Sequence, residues 1–392
     1  MMQVLKAAHV FDGTRMHANA AVSLSAQGRI LGLHAEGDVL PAPARDLGMG
    51  ILAPGLVDLQ VNGGGGVMVG AGTDCAQLAR ICAAHARLGA CAILPTLITD
   101  TPDVTRQVIA AGMDAARDSV AGFAGLHLEG PHLDPARKGA HDAGLIRPMD
   151  EADLALLCDA AQALPALMVT LAPEGATLHQ IAALAEAGAI ISLGHSGCDS
   201  AAALAAHRAG ARSVTHLYNA MGALQNRAPG LVGAALTSPL VAGIIADGVH
   251  VAPECMAVAL QMKAPDGLYL VSDSMGFAGT DLREITLGGR RILRAGGRLT
   301  LADGTLAGAD ISLPQSLACL AGLGVGAERA LAMASRIPAD LIGATDRGRI
   351  APGARGDLVF LSPDWTLRAI WQAGRNVPFA EDVVTPRAGA RG

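Results

Sequence analysis

The sequence predicts an α/β fold: a (β/α)8 TIM barrel accompanied by a small β unit built from both ends of the chain. Three observations carry that prediction. From Gly55 onward, short apolar runs alternate with Ala-rich stretches at helical spacing, and eight such runs occur before the pattern changes. Both ends of the chain instead read as short alternating strands punctuated by glycine. The length of 392 residues suits a barrel of roughly 250–300 residues plus a smaller companion.

In chain order, the first fifty residues carry alternating segments such as Ala21-Val22-Ser23-Leu24-Ser25, broken by Gly13, Gly28, Gly32 and Gly37. The eight predicted barrel strands then span 56–60, 91–97, 123–129, 167–171, 189–195, 213–216, 241–247 and 268–273. Helical spacing of Leu78, Ile81, Cys82, His85 and Leu88 predicts a helix over 74–88 behind a Thr73 cap, and a second helix is predicted over 200–209. Strand–helix alternation of this kind gives parallel strands with right-handed crossovers. After strand eight, turns at Gly288-Gly289, Gly296-Gly297 and Asp303-Gly304 mark a hairpin insertion over 287–306. Helical segments follow to about Ala344, and a β-like tail from Gly348 to about Asn376 is expected to return to the N-terminal unit. The expected division is therefore 1–53 with 348–380 for the β unit and 54–347 for the barrel.

Composition narrows the function. The chain is 51% hydrophobic and 16% charged, which supports a large core and argues against disorder. Only 2% is aromatic, so no broad stacking platform for polysaccharide or single-stranded nucleic acid is expected. A net charge of −6 offers no footprint for nucleic acid or an anionic membrane. Seven cysteines without a CxxC pair fit reduced thiols and a cytoplasmic setting, and no secretory leader is evident. The uncharged stretch 229–246 contains two prolines and several glycines, and reads as buried loop and strand rather than a membrane span.

Polar residues collect where the apolar strands end: Gln60 and Asn62 after strand one, Glu129 at strand three, His195 at strand five, His216 at strand six and Asp273 at strand eight. In a barrel these ends converge on one face. A histidine at a strand end is by itself more often structural, but one carboxylate and two imidazoles arriving together form a common catalytic zinc set with an open position. Zinc lowers the pKa of water there to about 7, so the set Glu129, His195 and His216 points to hydrolysis. Asp273 is the natural proton handler. His141, on the loop after Glu129, can polarise an amide carbonyl. Arg227 and His250 are the candidates for holding an anionic group. His127 shares the face of Glu129 and can support it, whereas His9, His17, His34, His85, His179 and His207 receive no catalytic role. The run Gly63–Gly66 lacks the Lys-Ser/Thr of a phosphate loop.

The segments Pro54-Gly55-Leu56-Val57-Asp58, His127-Leu128-Glu129-Gly130-Pro131, Lys138-Gly139-Ala140-His141, Leu193-Gly194-His195-Ser196, Thr215-His216-Leu217-Tyr218-Asn219-Ala220-Met221, Asp247-Gly248-Val249-His250 and Gly304-Thr305-Leu306-Ala307-Gly308 resemble the N-acetylglucosamine-6-phosphate deacetylases of the amidohydrolase superfamily. The resemblance covers nearly the whole chain in order. It implies a barrel with a β-sandwich formed by both termini, usually in a homodimer, that converts N-acetylglucosamine 6-phosphate to glucosamine 6-phosphate and acetate. It also implies Glu129, His195 and His216 as metal ligands, Asp273 as acid/base and His141 as the carbonyl-polarising residue. Ala140, Asn219, Ala220 and Arg227 become substrate contacts, and His250 a phosphate contact reached from the neighbouring subunit. Gln60-Val61-Asn62 stands where many amidohydrolases carry His-x-His. It resembles the branch with one firmly bound divalent metal, expected to be Zn2+ with Fe2+ as the alternative, and places Gln60 and Asn62 in the shell around metal and water. Asp310 departs from the family pattern and puts a carboxylate near the expected acetyl pocket. Deacetylation of another N-acyl substrate, such as N-acetylgalactosamine 6-phosphate, and a non-catalytic sugar-phosphate-binding protein are the alternative readings.

Overall fold

In the computed structural model, which describes residues 2–378, the eight barrel strands pair side by side in sequence order. They span Leu56–Val61, Ala90–Ile98, Leu126–Glu129, Leu167–Leu171, Ile190–Leu193, Ser213–Val214, Val241–Ile244 and Leu268–Leu270, and every pairing is parallel. The seam between first and last strands closes through a parallel bridge from Val61 to Ser274. There the Asn62 N–H donates to the Ser274 carbonyl at 2.8 Å, and the Ser272 N–H donates to the Asp58 carboxylate at 3.2 Å. Strands covered by helices outside and side chains inside are buried on both faces, so they read as apolar runs rather than alternation.

Strands five, six and eight stop earlier than the apolar runs suggest. His195, His216 and Asp273 lie two or three residues beyond Leu193, Val214 and Leu270, with φ of 47°, 29° and 47°. A left-handed residue cannot continue a ladder, so the pairing ends and the side chain turns into the barrel mouth. Gly194 precedes one of these turns because a Cβ there would lie 2.9 Å from both Thr170 and Thr215.

The first barrel helix, Cys75–Ala86, is capped by Asp74, whose carboxylate accepts from the Gln77 N–H at 2.8 Å. Thr73, the expected cap, instead accepts from Gly70 N–H at 2.9 Å and closes the preceding turn. The second predicted helix is observed as Ser200–Arg208. Within the stretch read as loop and strand, residues Gly230–Thr237 form a helix before strand seven; its Leu, Val and Ala side chains are buried all round, which hides helical periodicity. No described helix is long and apolar enough to cross a membrane.

The termini pair as expected. A six-stranded sheet joins Leu358–Leu361, Leu367–Gln372 and Arg375–Asn376 to Ile51–Pro54, His9–Phe11 and Met16–Ala18. It faces a four-stranded sheet made of Gln3–Lys6, Ala21–Leu24, Ile30–His34 and Ala44–Asp46. Alternation along Leu358–Leu361 divides its side chains between two cores. Leu358 and Phe360 pack with Leu24, Ile30 and Trp371 inside the sandwich, while Val359 and Leu361 join the barrel core. Met1 and residues 379–380 of the expected unit lie outside the described residues. The insertion is larger than a hairpin: four antiparallel strands, Glu284–Leu287, Arg290–Ala295, Arg298–Leu301 and Leu306–Ala309. It has its own small core of Met275, Phe277, Ile292, Leu299 and Ala307. All seven cysteines are free.

Candidate active site

Strand ends bring Glu129, His195 and His216 to one point. Glu129 Oε1 lies 3.1 Å from His195 Nε2 and 3.0 Å from His216 Nε2, and the two imidazole nitrogens are 3.1 Å apart. All three side chains are buried. His195 Nδ1 lies 2.9 Å from the Arg137 carbonyl, which can only accept, so Nδ1 carries the proton and Nε2 of the neutral ring is a bare lone pair. That lone pair faces a carboxylate oxygen and a second imidazole nitrogen. His195 Nε2 and Glu129 Oε1, 3.1 Å apart, repel unless a cation draws them together. Ligands at about 2.0–2.1 Å on a tetrahedral zinc lie roughly 3.3 Å apart, close to the spacing seen. The donor set therefore fits a divalent metal of the borderline class.

A metal-capable grouping of Glu129, His141 and His195 also exists, with ligand atoms within 4.8 Å of one another. Hydrogen bonding argues for His216 rather than His141 as the third donor. His141 Nδ1 accepts from the Thr99 N–H at 3.3 Å and lies 2.7 Å from the Thr99 hydroxyl. Its neutral ring is thus protonated at Nε2, which stands 3.9 Å from Glu129 Oε2 and presents a donor. Burial, reinforced by the neighbouring His195, drives the His141 pKa down to about 3, so the ring stays neutral.

Burial raises the Glu129 pKa, but the adjacent His195 and His216 imidazoles outweigh it and hold the carboxyl well below its ordinary value. Asp273 behaves oppositely. Burial, followed by the charge of Glu129, pushes its pKa up to about 6. Asn62 donates to Asp273 Oδ1 at 2.7 Å and Gln60 donates to Glu129 Oε1 at 3.1 Å, so each amide holds one of the site's carboxylates. Asn62 Oδ1 and His216 Nδ1 are buried without a hydrogen-bond partner among the described residues. His127 lies beneath, with Nδ1 at 2.9 Å from the Leu59 carbonyl and Nε2 at 2.7 Å from the Thr170 hydroxyl.

A cleft of about 390 Å³ opens above these groups, lined by Asn62, Glu129, Ala140, His141, His195, His216, Asn219, Ala220, His250 and Asp273, with Thr305–Gly308 on the insertion side. Tyr218 and Ala220 also have positive φ, 79° and 51°, placing further backbone strain at the mouth. Three further residues expected near the substrate are placed as follows. Arg227 is exposed and does not line the cleft, because the stretch 223–228 runs over the surface. His250 lines the cleft of its own chain, its Nδ1 2.6 Å from Asp247 Oδ2. Asp310 lies in a separate cavity, turned away from the acetyl region by a two-point pairing with Arg294 at 2.9 and 2.7 Å.

Sequence reasoning missed Thr99, whose signal was the same as for the others: a polar residue closing an apolar strand. Ending strand two at Leu97, one residue short of Ile98, hid it. It also missed the Arg137 carbonyl, because main-chain acceptors leave no trace in residue type. His85, with Nε2 at 2.9 Å from the Gly63 carbonyl, supports the loop after Asn62 and could be read only as a core position.

The amidohydrolase family model matches residues 51–381. An N-acetylgalactosamine-6-phosphate deacetylase from Shewanella sp. (strain ANA-3) is 39% identical over 341 residues, 86% of each chain. The human N-acetylglucosamine-6-phosphate deacetylase is 35% identical over 354 residues, 85% of each. Among solved structures, the N-acetylglucosamine-6-phosphate deacetylase of Pasteurella multocida superposes with a TM-score of 0.90 at 29% identity, covering 96% of this chain and 99% of that one. The Mycobacterium smegmatis enzyme of that name gives 0.89 at 32%, covering 96% and 100%. With a barrel mouth that gathers one carboxylate and two imidazoles, and sequence likeness running through both barrel and sandwich, the chain belongs to the amidohydrolase family.

Proposed function

We propose that this chain is a metal-dependent hydrolase that removes the acetyl group from N-acetylglucosamine 6-phosphate, leaving glucosamine 6-phosphate and acetate. The observation that carries the reading is the convergence, in one cleft, of a three-donor metal set, a carboxylate poised near pH 6 and a neutral imidazole donor. Glu129, His195 and His216 would hold one divalent cation, with Zn2+ preferred and Fe2+ the alternative, and that cation would supply Lewis acidity toward water and the acetyl oxygen. Asp273, steadied by Asn62, takes a proton from the attacking water and later delivers it to the departing amine nitrogen. His141 donates its Nε2 proton as a hydrogen bond to the acetyl oxygen, which becomes more negative as the tetrahedral centre forms. Gln60 and Asn62 hold the carboxylates around that water.

The names of the relatives support a phosphorylated amino sugar as substrate, with Ala140, Asn219 and Ala220 as backbone and side-chain contacts in the cleft and His250, oriented by Asp247, toward the phosphate. Arg227 can reach the same phosphate only through movement of its surface loop or from a second copy in a homodimer, which is the assembly we propose. The cytoplasm is the proposed setting. A second reading, hydrolysis of N-acetylgalactosamine 6-phosphate, is favoured by the 39% identical relative of that name. Acetate release from the two epimers, with and without the 6-phosphate, alongside measured metal content, tests the proposal. Release from a 6-phosphate substrate is the expected result; metal loading with no acetate from any member of the panel overturns it.

A further inference from the structure

The loop that delivers His141 is held from three sides. Its Arg137 carbonyl accepts from His195 Nδ1 at 2.9 Å, and the His141 N–H donates to the Lys138 carbonyl at 2.9 Å. Thr99 holds the imidazole itself. The remaining hold comes from outside the barrel. Arg290, on the second strand of the insertion sheet, donates from Nη2 to the Ala140 carbonyl at 2.5 Å. Ala140 also packs against the insertion's own apolar core. The same sheet reaches the cleft directly, since Leu287 and Thr305–Gly308 line it.

From this geometry we infer that Arg290 is a positioning residue that couples the insertion sheet to catalysis by tethering the Ala140 carbonyl and so setting where His141 stands over the cleft. The Ala140 carbonyl and the His141 nitrogen and Cα belong to one peptide plane, so fixing the first places the His141 Cα from which the imidazole leaves the chain. A charge-assisted bond from a planar guanidinium is both stronger and more directional than a neutral one. An oxyanion-type donor displaced by about an ångström loses much of its effect on the transition state while ground-state binding changes little. The role of His141 in this inference rests on the function proposed above; the tether itself does not.

The test compares wild-type holoenzyme with Arg290→Met, which keeps an apolar stem of similar reach, and Arg290→Lys, which keeps a cationic donor. In Arg290→Met, kcat for acetate release is expected to fall roughly 10- to 100-fold with KM within about threefold and metal content unchanged. Arg290→Lys should recover most of that loss. Hydrogen exchange gives a readout that needs no turnover: the amide of His141 should exchange roughly tenfold faster in Arg290→Met while the barrel strands keep wild-type protection. Unchanged protection at His141, a rise in KM at constant kcat, or loss of protection throughout the barrel would each overturn the inference. If the wild-type protein releases no acetate from any sugar phosphate, the proposed function fails, and the exchange measurement still decides the tether.

Discussion

Replacing Asp273 by Asn separates proton handling from the other properties of the cleft. The amide has nearly the shape of the carboxylate and keeps an acceptor for Asn62 Nδ2, now at 2.7 Å from Asp273 Oδ1. Asp273 is not one of the three groups whose donor atoms lie 3.0–3.1 Å apart, so metal content should stay at the wild-type level. What disappears, under the function proposed above, is the ability to take a proton from water and return it to nitrogen. General acid–base catalysis is worth about 10²- to 10⁴-fold, or about 3–5.5 kcal/mol of barrel-mouth transition-state stabilisation at 1.36 kcal/mol per tenfold. The base works ionised, and its pKa is raised to about 6, so wild-type kcat/KM should fall as pH drops through about 6. Acetate release followed between pH 5 and 8 (roughly the range that brackets this titration), with metal measured on the same samples, checks both points. A variant rate within about tenfold of wild type, or a wild-type profile flat through this range, would refute the assignment.

Four further outcomes follow from the same geometry. Glu129→Gln removes the only negative charge among the three donors, so metal content after dialysis should fall at least about tenfold relative to wild type. Thr99→Val keeps the backbone N–H at 3.3 Å from His141 Nδ1 but deletes the hydroxyl at 2.7 Å; kcat should drop roughly tenfold with KM spared, and Thr99→Ser should restore it. Asp310→Asn breaks the two-point pairing with Arg294 and should lower stability in thermal unfolding by about 1–3 kcal/mol, while the preference among N-acyl groups stays as in wild type. Burial raises Asp58 from 3.8 to about 7. The folded chain then keeps a proton that the unfolded chain has released, so this group's contribution to stability declines between about pH 4 and 7. Asp58→Asn should flatten that decline, which at full burial is up to about 4 kcal/mol, as read from denaturant unfolding of metal-free protein across pH.

Strand–helix alternation after Gly55 was enough to predict a parallel barrel, because strands enclosed on both faces must be apolar and must be separated by helices long enough to cross back. The return of the tail was legible from the change to short alternating strands at both ends. The donor set was legible for a related reason: a ligand-type residue closing an apolar run has few structural uses, and Glu129, His195 and His216 each do so. Finer local structure was less accessible. The helix Gly230–Thr237 has no polar face, so its period vanished. Strands five, six and eight ended early because left-handed residues, invisible in composition, interrupt the ladder at His195, His216 and Asp273.

The sequence by itself determined which groups the barrel would present at its mouth, since the strand register carries each of them to the same face. Only the tertiary structure decided how those groups are used, because proton positions depend on partners far away in the chain. The Arg137 carbonyl leaves His195 Nε2 as a bare lone pair facing Glu129, and Thr99 leaves His141 with a proton on Nε2. The fold likewise decided what stays out of the cleft. Arg294 holds Asp310 in another cavity and Arg227 lies on the surface, whereas His250, bonded to Asp247, lines the cleft. Side-chain direction at a loop is set by contacts between segments, and those contacts exist only once the chain has folded.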